Sequence, residues 1–326
     1  MHYLRVACSV KNLARLGGLK DSGFVMIKAL LMAALAAIVP FSHAQAQEAG
    51  KVRARMFVND ALGDGHDRWR SGAYFVAGLW GGDVRRLPAQ AFQLWEWRLR
   101  AEIVAPEDLV TPAPGDRRYA GILAPGFFTH FAPGGFEAMV GLEAVLTGPQ
   151  TGLGNFQREV HEWLDMPVPQ VLDDQIPDGI HPTFRAELAR SVPLGGQARL
   201  RPFVEVQAGL ETYARAGVDL TWGGWGQSAP MLRETVSGFR TEAATGPAGQ
   251  GVSFTLGADM ARVFDSELLP AGGAAVLSDT RARARLGVNW QGEKSEAFYG
   301  LAWLGEEYEG QAGGQVLGAI RLQLNF

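Results

Sequence analysis

The chain has 326 residues, a formal net charge of −4 and a single cysteine, Cys8. This mildly acidic balance disfavours nucleic acid as a partner, because nucleic-acid-binding surfaces are basic. One cysteine cannot form an intramolecular disulfide, so noncovalent interactions must stabilise the fold.

Residues 26–46 have the three parts of a secretory signal peptide. Lys28 supplies the positive charge, and residues 30–41 form a short apolar stretch. Ala44-Gln45-Ala46 is a cleavage site of the small-x-small type. We therefore predict export, with cleavage after Ala46.

Residues 1–25 precede a complete signal, and we interpret them as a mis-assigned N-terminal extension. The mature domain is then residues 47–326. Removal of five basic and one acidic residue from the full chain leaves 25 basic against 33 acidic residues, a net charge of −8. The mature domain is long enough for one large domain, contains no cysteine and is more acidic than the full chain.

Two polar clusters lie in the first half of the mature chain. The first consists of Asn59-Asp60 and residues 67–72, DRWRSG, and the second is residues 116–121, DRRYAG. A proline-containing stretch, residues 106–116, precedes the second cluster and is typical of a surface loop. Asn59-Asp60 also fits a plain turn at a strand end, and the Asp-Arg pairs fit structural ion pairs, so chemistry is one of two interpretations for each.

Residues 154–166, GNFQREVHEWLDM, are the one clearly helical stretch in the middle of the chain. We predict Asn155 as the N-cap of this helix. The helix lies in the longest interruption of the strand pattern, residues 148–180. A long helical loop is unusual for stability alone, so we expect it to form a lid or a wall of an active site.

Gln157 and His161 are four residues apart and therefore lie on one face of this helix, one turn apart. His161 is the best candidate for a general base at neutral pH. The simpler interpretation is that His161 pairs with Asp165, four residues further on, as a solvated helix couple.

The second half of the chain alternates apolar and polar residues with a period of two, which predicts strands with two different faces. In residues 282–290, Leu286 and Trp290 fall on one face, and Arg283 and Arg285 fall on the other. The same alternation occurs in four further segments: residues 200–210, 218–222, 252–260 and 316–326.

Such strands form either a soluble sandwich with an apolar core or a membrane barrel with an apolar outer face. The mixed Arg, Glu, Gln and Asn faces suit a polar lumen, and Trp222, Trp290 and Trp303 near strand ends suit an interfacial girdle. The last strand ends on Phe326, which resembles the C-terminal signature of bacterial outer-membrane barrels. We predict an all-β transmembrane antiparallel barrel of about 12 strands, with the helix in an extracellular loop.

On such a barrel, the two polar clusters and the Gln157-x-x-x-His161 pair, in this order, resemble the lipid A 3′-O-deacylase (LpxR) family of outer-membrane enzymes. The resemblance covers nearly the whole mature chain. It implies a twelve-stranded barrel whose active site lies between the wall and a loop helix and faces the outer leaflet. It also implies a lipid A or lipopolysaccharide substrate, a calcium-dependent reaction and a water molecule that histidine activates.

Carried over by position, the resemblance assigns the base to His161 and a polar neighbour to Gln157. Asn59 and Asp60 are the wall residues that face the helix, and Ser71 matches a small hydroxyl position. The family also has a functional lysine near the start of the second cluster. This chain has no lysine in residues 52–293, so that role is absent or passes to Arg117 or Arg118.

The residues themselves are compatible with this chemistry. The chain has no Gly-x-Ser-x-Gly elbow, which gives an activated serine little support. A histidine-activated water needs a base and a site for the negative charge that develops on oxygen. Asn59 and Asp60 offer the oxygen ligands that calcium prefers, whereas no His/Cys cluster has zinc spacing.

Two alternatives to the lipid A esterase remain open on sequence grounds. The first is a non-enzymatic barrel, either a narrow pore or a structural protein. The second is a phospholipase that acts on glycerophospholipids. In each case we expect a monomer in the outer membrane with no nucleic-acid partner.

Overall fold

The computed structural model describes residues 52–226, 229–243, 250–293 and 295–324. These ranges contain fifteen β-strands and one α-helix, α1 (Leu153–Leu164). The predicted extension at residues 1–25 and the predicted signal peptide at residues 26–46 lie outside the described residues.

Twelve antiparallel strands form the wall of a closed barrel. Each pairs with the wall strands before and after it, and pairing of the first strand with the last closes the ring. The wall strands are β1 (Val52–Asn59), β2 (Trp69–Gly81), β3 (Leu94–Ala105), β4 (Ala120–Phe131), β5 (Glu137–Thr147), β6 (Gly179–Ala189), β8 (Ala198–Ala208), β9 (Glu211–Trp222), β12 (Gly251–Ser266), β13 (Thr280–Gln291), β14 (Ser295–Leu304) and β15 (Gln315–Leu324). The predicted twelve-stranded barrel is confirmed.

Three short strands lie outside this wall. β7 (Val192–Gly195) pairs with β8 and lengthens the hairpin that follows β6. β10 (Met231–Arg233) and β11 (Arg240–Glu242) form a separate two-stranded sheet between β9 and β12. Among the described residues, no helix combines the length and the apolar character needed to cross a membrane.

The two faces of the wall differ as the alternation predicts. Leu256 and Leu286 are direct neighbours across β12 and β13, and both are more than half exposed, at 57% and 58%. Arg283 and Arg285 on the same strand are buried in the lumen. A soluble sandwich would bury the apolar face, so the exposed leucines favour a wall that contacts lipid.

Ion pairs connect the lumenal side chains of different strands. Asp259 on β12 accepts hydrogen bonds from Arg215 on β9 and from Arg283 and Arg285 on β13. Pairing of this kind is required because an isolated charge would be strongly destabilised at low dielectric. The lumen is therefore crossed by charged networks.

The connection between β9 and β12 folds back into the barrel, a feature that the sequence analysis did not predict. Trp225, Leu232 and Phe239 from this connection are buried against wall residues such as Phe75 and Phe298. The rings of Trp225 and Phe239 each lie 5.1 Å from the ring of Phe298, measured between centroids. We call the described part of this segment, residues 223–226, 229–243 and 250, the plug.

The strand order places the loop helix and the plug at opposite ends of the barrel. Residues 60–68, 106–119, 148–178, 267–279 and 305–314 all join wall strands at the end that carries α1. The plug and both termini of the barrel lie at the opposite end. This separation puts α1 above the wall, next to the ends of β1, β2, β3 and β4.

The depth of Leu256 in the wall gives a stability prediction. We expect Leu256→Arg to destabilise the barrel by about 2–4 kcal/mol, because it places a charge near the lipid midplane. Val252→Arg, on the same face near the start of β12, is the matched control and should cost about 0–1 kcal/mol. Urea titration of folding into lipid vesicles measures both, and equal costs for the two variants would contradict a membrane-spanning β12.

Candidate active site between the loop helix and the barrel wall

The helix α1 begins after Gly152, whose φ of +71° is a left-handed conformation that glycine adopts readily. Asn155 lies inside the first turn, so its prediction as the N-cap is wrong. Gly121 at the start of β4 allows the helix to dock closely. A Cβ atom there would lie 2.5 Å from Thr151 Oγ1 and 3.1 Å from Leu153 Cβ.

The buried face of α1 consists of Gly154, Gln157, His161 and Leu164. Their spacing of three or four residues gives one stripe along the helix, which turns toward the barrel wall. The structure therefore places Gln157 and His161 on one face, as predicted, and buries both. The predicted interpretation of His161 as a solvated side chain is wrong.

His161 is 4% exposed and contacts an oxygen at each ring nitrogen. Nε2 lies 2.8 Å from Asp67 Oδ2, and Nδ1 lies 2.6 Å from the carbonyl oxygen of Pro167. Burial by itself lowers the pKa of the imidazole, but the hydrogen bonds to Asp67 and Pro167 outweigh it, and the net pKa of His161 is raised. Asp67, rather than Asp165, is the carboxylate partner.

Asp67 joins three of the predicted site residues. Besides its contact with His161, its Oδ1 accepts a hydrogen bond from Ser71 Oγ and one of 3.2 Å from Gln157 Nε2. The wall loop and the loop helix are thus connected through one carboxylate. Removal of Asp67 would leave several buried polar groups without their partner.

Asn59 and Asp60 hold the wall loop that carries Asp67. Asn59 Oδ1 accepts from the backbone N–H of Ala61, and its Nδ2 donates to the carbonyl oxygen of Ser71. Asp60 is buried, and its Oδ2 accepts from the backbone N–H of Arg68. Asn59 therefore forms a turn at a strand end, which was its simpler interpretation, and it also connects to the site through Ser71.

Two backbone irregularities position this part of β2. Trp69 is fully buried and has a φ of +50°, which is strained for a bulky side chain. The register of β2 against β3 then shifts between Arg70 and Gly72, so Ser71 lies in a β-bulge. Bulges redirect side chains next to active sites, and this one accompanies the Ser71 contact with Asp67.

Two buried polar atoms at this interface have no hydrogen-bond partner among the described residues. They are the hydroxyl of Tyr119 and Oε1 of Gln157. The Tyr119 ring reaches the helix, because a Cβ on Gly154 would lie 3.6 Å from Tyr119 Cε1. Burial, reinforced by the charge of Asp67, raises the pKa of the Tyr119 hydroxyl. Buried polar atoms are usually satisfied by water or a ligand, so both atoms are available to one.

The arginines proposed for the role of the absent lysine point elsewhere. Arg117 is buried and donates to Glu307, which also pairs with Arg70 in the lumen. Arg118 donates to the side chain of Asp174 and to the backbone of residues 174–175. Neither guanidinium has a contact with Asp67 or His161 in the described part of the chain.

Asp67 and Tyr119 lie at the interface, but the sequence did not indicate a functional role for either of them. Asp67 belonged to a cluster already singled out, but its adjacent arginine suggested a structural pair. The structure pairs Arg68 with Asp64 and Glu107 instead. Tyr119 belongs to the second polar cluster, and no motif in the sequence marks it as a functional residue.

The oxygen atoms beside Asp67 are of the kind that hard cations prefer. Burial, and then the neighbouring charge of Asp67, raises the pKa of Asp60 well above its usual range. A cation would favour the charged form of Asp60, and Gln157 Oε1 is a further neutral donor. The described residues contain no group of three or more His, Cys, Asp or Glu side chains arranged for a metal, so amide oxygens or water would complete the ligand set.

One family model and several solved structures are similar to this chain. The family model described as Outer membrane protein LpxR matches residues 30–326. Among solved structures, LpxR from Salmonella typhimurium is similar with a TM-score of 0.66 and 16% identity, covering 84% of this chain and 99% of that one. The beta domain of the Bordetella autotransporter Brka has a TM-score of 0.41 and 11% identity, covering 86% and 100%. A search of curated proteins finds no match.

The Asp67 contact gives a prediction for the titration of His161. Asp67→Asn removes the negative charge at Nε2, so we expect the pKa of His161 to fall. Asp165→Asn, on the same helix, is the matched control and should leave it unchanged. Nuclear magnetic resonance of histidine-labelled protein measures both, and an unchanged His161 pKa in Asp67→Asn would contradict the pairing.

Proposed function

Because the chain belongs to the family of outer membrane protein LpxR, a family of lipid A deacylases, we propose that it is an outer-membrane esterase that hydrolyses the 3′-acyloxyacyl ester of lipid A. The observation that carries this proposal is the buried pair of His161 and Asp67, held between a loop helix and the barrel wall. A histidine with a carboxylate partner can act as the general base that activates water for hydrolysis of an ester. The site would face the outer leaflet.

In the proposed reaction, His161 is the general base. Its Nδ1–H donates to the carbonyl oxygen of Pro167, so Nε2 is the nitrogen left for proton transfer. Nε2 lies 2.8 Å from Asp67 Oδ2, and it accepts the proton of the attacking water once it parts from that oxygen. Asp67 then stabilises the imidazolium, which agrees with the raised pKa of His161. The hydroxyl of Tyr119, which has no partner in the described structure, can orient that water.

The water oxygen forms a bond to the acyl carbon, and a tetrahedral intermediate develops negative charge on the former carbonyl oxygen. The bond between the acyl carbon and the sugar 3′ oxygen then breaks. The imidazolium of His161 returns its proton to that oxygen, which gives a free fatty acid and a sugar hydroxyl. Ser71, Asn59 and Asp60 act by positioning Asp67 and its loop.

Asp60, Asp67 and the amide oxygen of Gln157 would hold the calcium ion, with Asn59 as the further predicted ligand. The chemistry that bound calcium supplies is stabilisation of the negative charge on the ester oxygen. Asn59 Oδ1 already accepts the N–H of Ala61, so it offers calcium only its second lone pair.

The surface around the site suits a lipid substrate. Phe156 and Trp163 remain exposed on the faces of α1 that do not contact the wall. Exposed aromatic side chains next to a membrane surface favour contact with acyl chains. The filled lumen, by contrast, disfavours the pore alternative, because the plug and the ion-pair networks occupy its cross-section.

Replacement of the base tests the proposed function. We expect His161→Ala to lower the rate of lipid A deacylation by about 10²–10⁴-fold, the usual contribution of general base catalysis. Glu159→Ala, on the exposed face of the same helix, should keep full activity. Mass spectrometry of lipid A incubated with the purified barrel measures the product, and a deacylated product that survives in His161→Ala refutes the mechanism. Parallel incubation with glycerophospholipids identifies a phospholipase.

Removal of divalent ions tests the proposed calcium site separately. We expect a chelator to abolish deacylation and added calcium to restore it, because negative charge on the ester oxygen would otherwise be unstabilised. Asp60→Asn should raise the calcium concentration needed for half-maximal activity. Full activity of the chelated wild-type barrel would reject the cation and leave the role of His161 intact.

A further inference from the structure

A second cavity lies at the end of the barrel opposite α1. It has a volume of about 190 Å³ and lies between the plug and the starts of β5 and β8. Seven arginines and three glutamates line it. We call it the arginine cavity, and the proposed active site uses none of its residues.

The carboxylates of the arginine cavity are already shared. Glu187 accepts from Arg201 at one oxygen, at 2.7 Å, and from Arg233 at the other, at 2.6 Å. Glu137 accepts from Ser191 at one oxygen and from Arg201 at the other, at 2.7 Å. Their four oxygens therefore satisfy two arginines and one serine.

Three arginines of the cavity keep donor groups that no carboxylate of the described residues accepts at hydrogen-bond distance. Arg240 on β11 lies 3.5 Å from the Glu137 oxygen that Arg201 already uses, and it has no other ion pair within 4 Å in the described part of the chain. Arg199 on β8 donates to the backbone carbonyl of Gly226 and has no ion pair within 4 Å among the described residues. Nη1 of Arg201 is buried, has no hydrogen bond there and lies 3.8 Å from its nearest carboxylate, Asp219.

The adjoining stretches of sequence contain no acidic residue that could pair with these arginines. Residues 227–228 and 244–249, which flank the described part of the plug, contain no aspartate or glutamate. Arg201 is buried, and Arg199 and Arg240 are half-buried. Guanidinium donors removed from water without an acceptor cost free energy, which a bound anion would recover. Arginine also matches the geometry of phosphate oxygens better than lysine does.

We propose that the arginine cavity binds a small oxyanion of the phosphate class. Arg199 and Arg201 hold it from the wall, and Arg240 holds it from the plug. The anion replaces repulsion between these arginines by attraction, so it fastens the plug to the barrel wall. Because ligand binding to the folded state alone stabilises it, the anion should also raise the melting temperature.

Titration calorimetry on the purified full-length barrel in detergent tests this proposal. Inorganic phosphate, pyrophosphate and glycerol phosphate are each added at constant ionic strength, with sodium chloride as the reference salt. We expect saturable binding of one anion per chain. Tighter binding of inorganic phosphate identifies the free ion as the ligand, and tighter binding of glycerol phosphate identifies a phosphate monoester.

The variants distinguish a built site from general attraction to a charged barrel. Arg240→Gln and Arg199→Gln should each weaken binding by about tenfold or more, the effect of losing a charge-assisted hydrogen bond. Arg262→Gln, which removes an exposed arginine paired with Asp279, should bind as the wild type does. Gel mobility without heating verifies that each variant is folded. If one of the two arginine variants does not fold, the other still tests the proposal.

Two results would overturn the proposal. One is the absence of saturable phosphate binding to the folded wild-type barrel. The other is an affinity that Arg240→Gln and Arg199→Gln leave unchanged. Neither result bears on lipid A deacylation, which depends on the opposite end of the barrel.

Discussion

The wall separates an apolar solvent outside from a narrow polar lumen inside, and the rest of the structure depends on this constraint. Lipid cannot hydrogen-bond to the backbone, so the strands must close on one another, as β1 and β15 do. The apolar residues then face outward, and every charged side chain of the wall that turns inward needs a partner. Asp259 with its three arginines is the clearest result of that requirement.

The candidate site lies where this constraint ends. Above the lipid the chain leaves the wall at Asn59 and returns at Trp69, and the loop between them presents Asp67 to the helix. The contact of Asp67 with His161 therefore serves two purposes in the proposed enzyme. It docks α1 on the barrel, and it sets the protonation of the proposed base. The same two residues would have to separate slightly to admit water, which makes the helix the natural moving part of the site.

At the end of the barrel opposite α1, the plug fills part of the lumen. Its aromatic residues pack inside the barrel around Phe298, and its arginines meet those of the wall at the arginine cavity. A barrel of twelve strands leaves more interior than its own wall side chains can fill, and a folded-back connection fills part of it. The filled interior is typical of a rigid barrel and disfavours an open pore.

The sequence by itself determined the barrel, because a period of two that is kept along a whole segment fixes which face of a strand meets lipid. Residues 282–290 were predicted as a strand and lie within β13 (Thr280–Gln291). The spacing on one helix face also singled out Gln157 and His161, whereas Asn59, Asp60 and Ser71 followed from the resemblance of the ordered polar clusters to a known family. Only the tertiary structure decided that Asp67 is the partner of His161, that Tyr119 reaches the same interface and that Trp225, Leu232 and Phe239 pack inside the barrel. These contacts join residues far apart in the chain, and their geometry follows from loop conformation, such as the positive φ of Gly152 and Trp69, which no periodic pattern encodes.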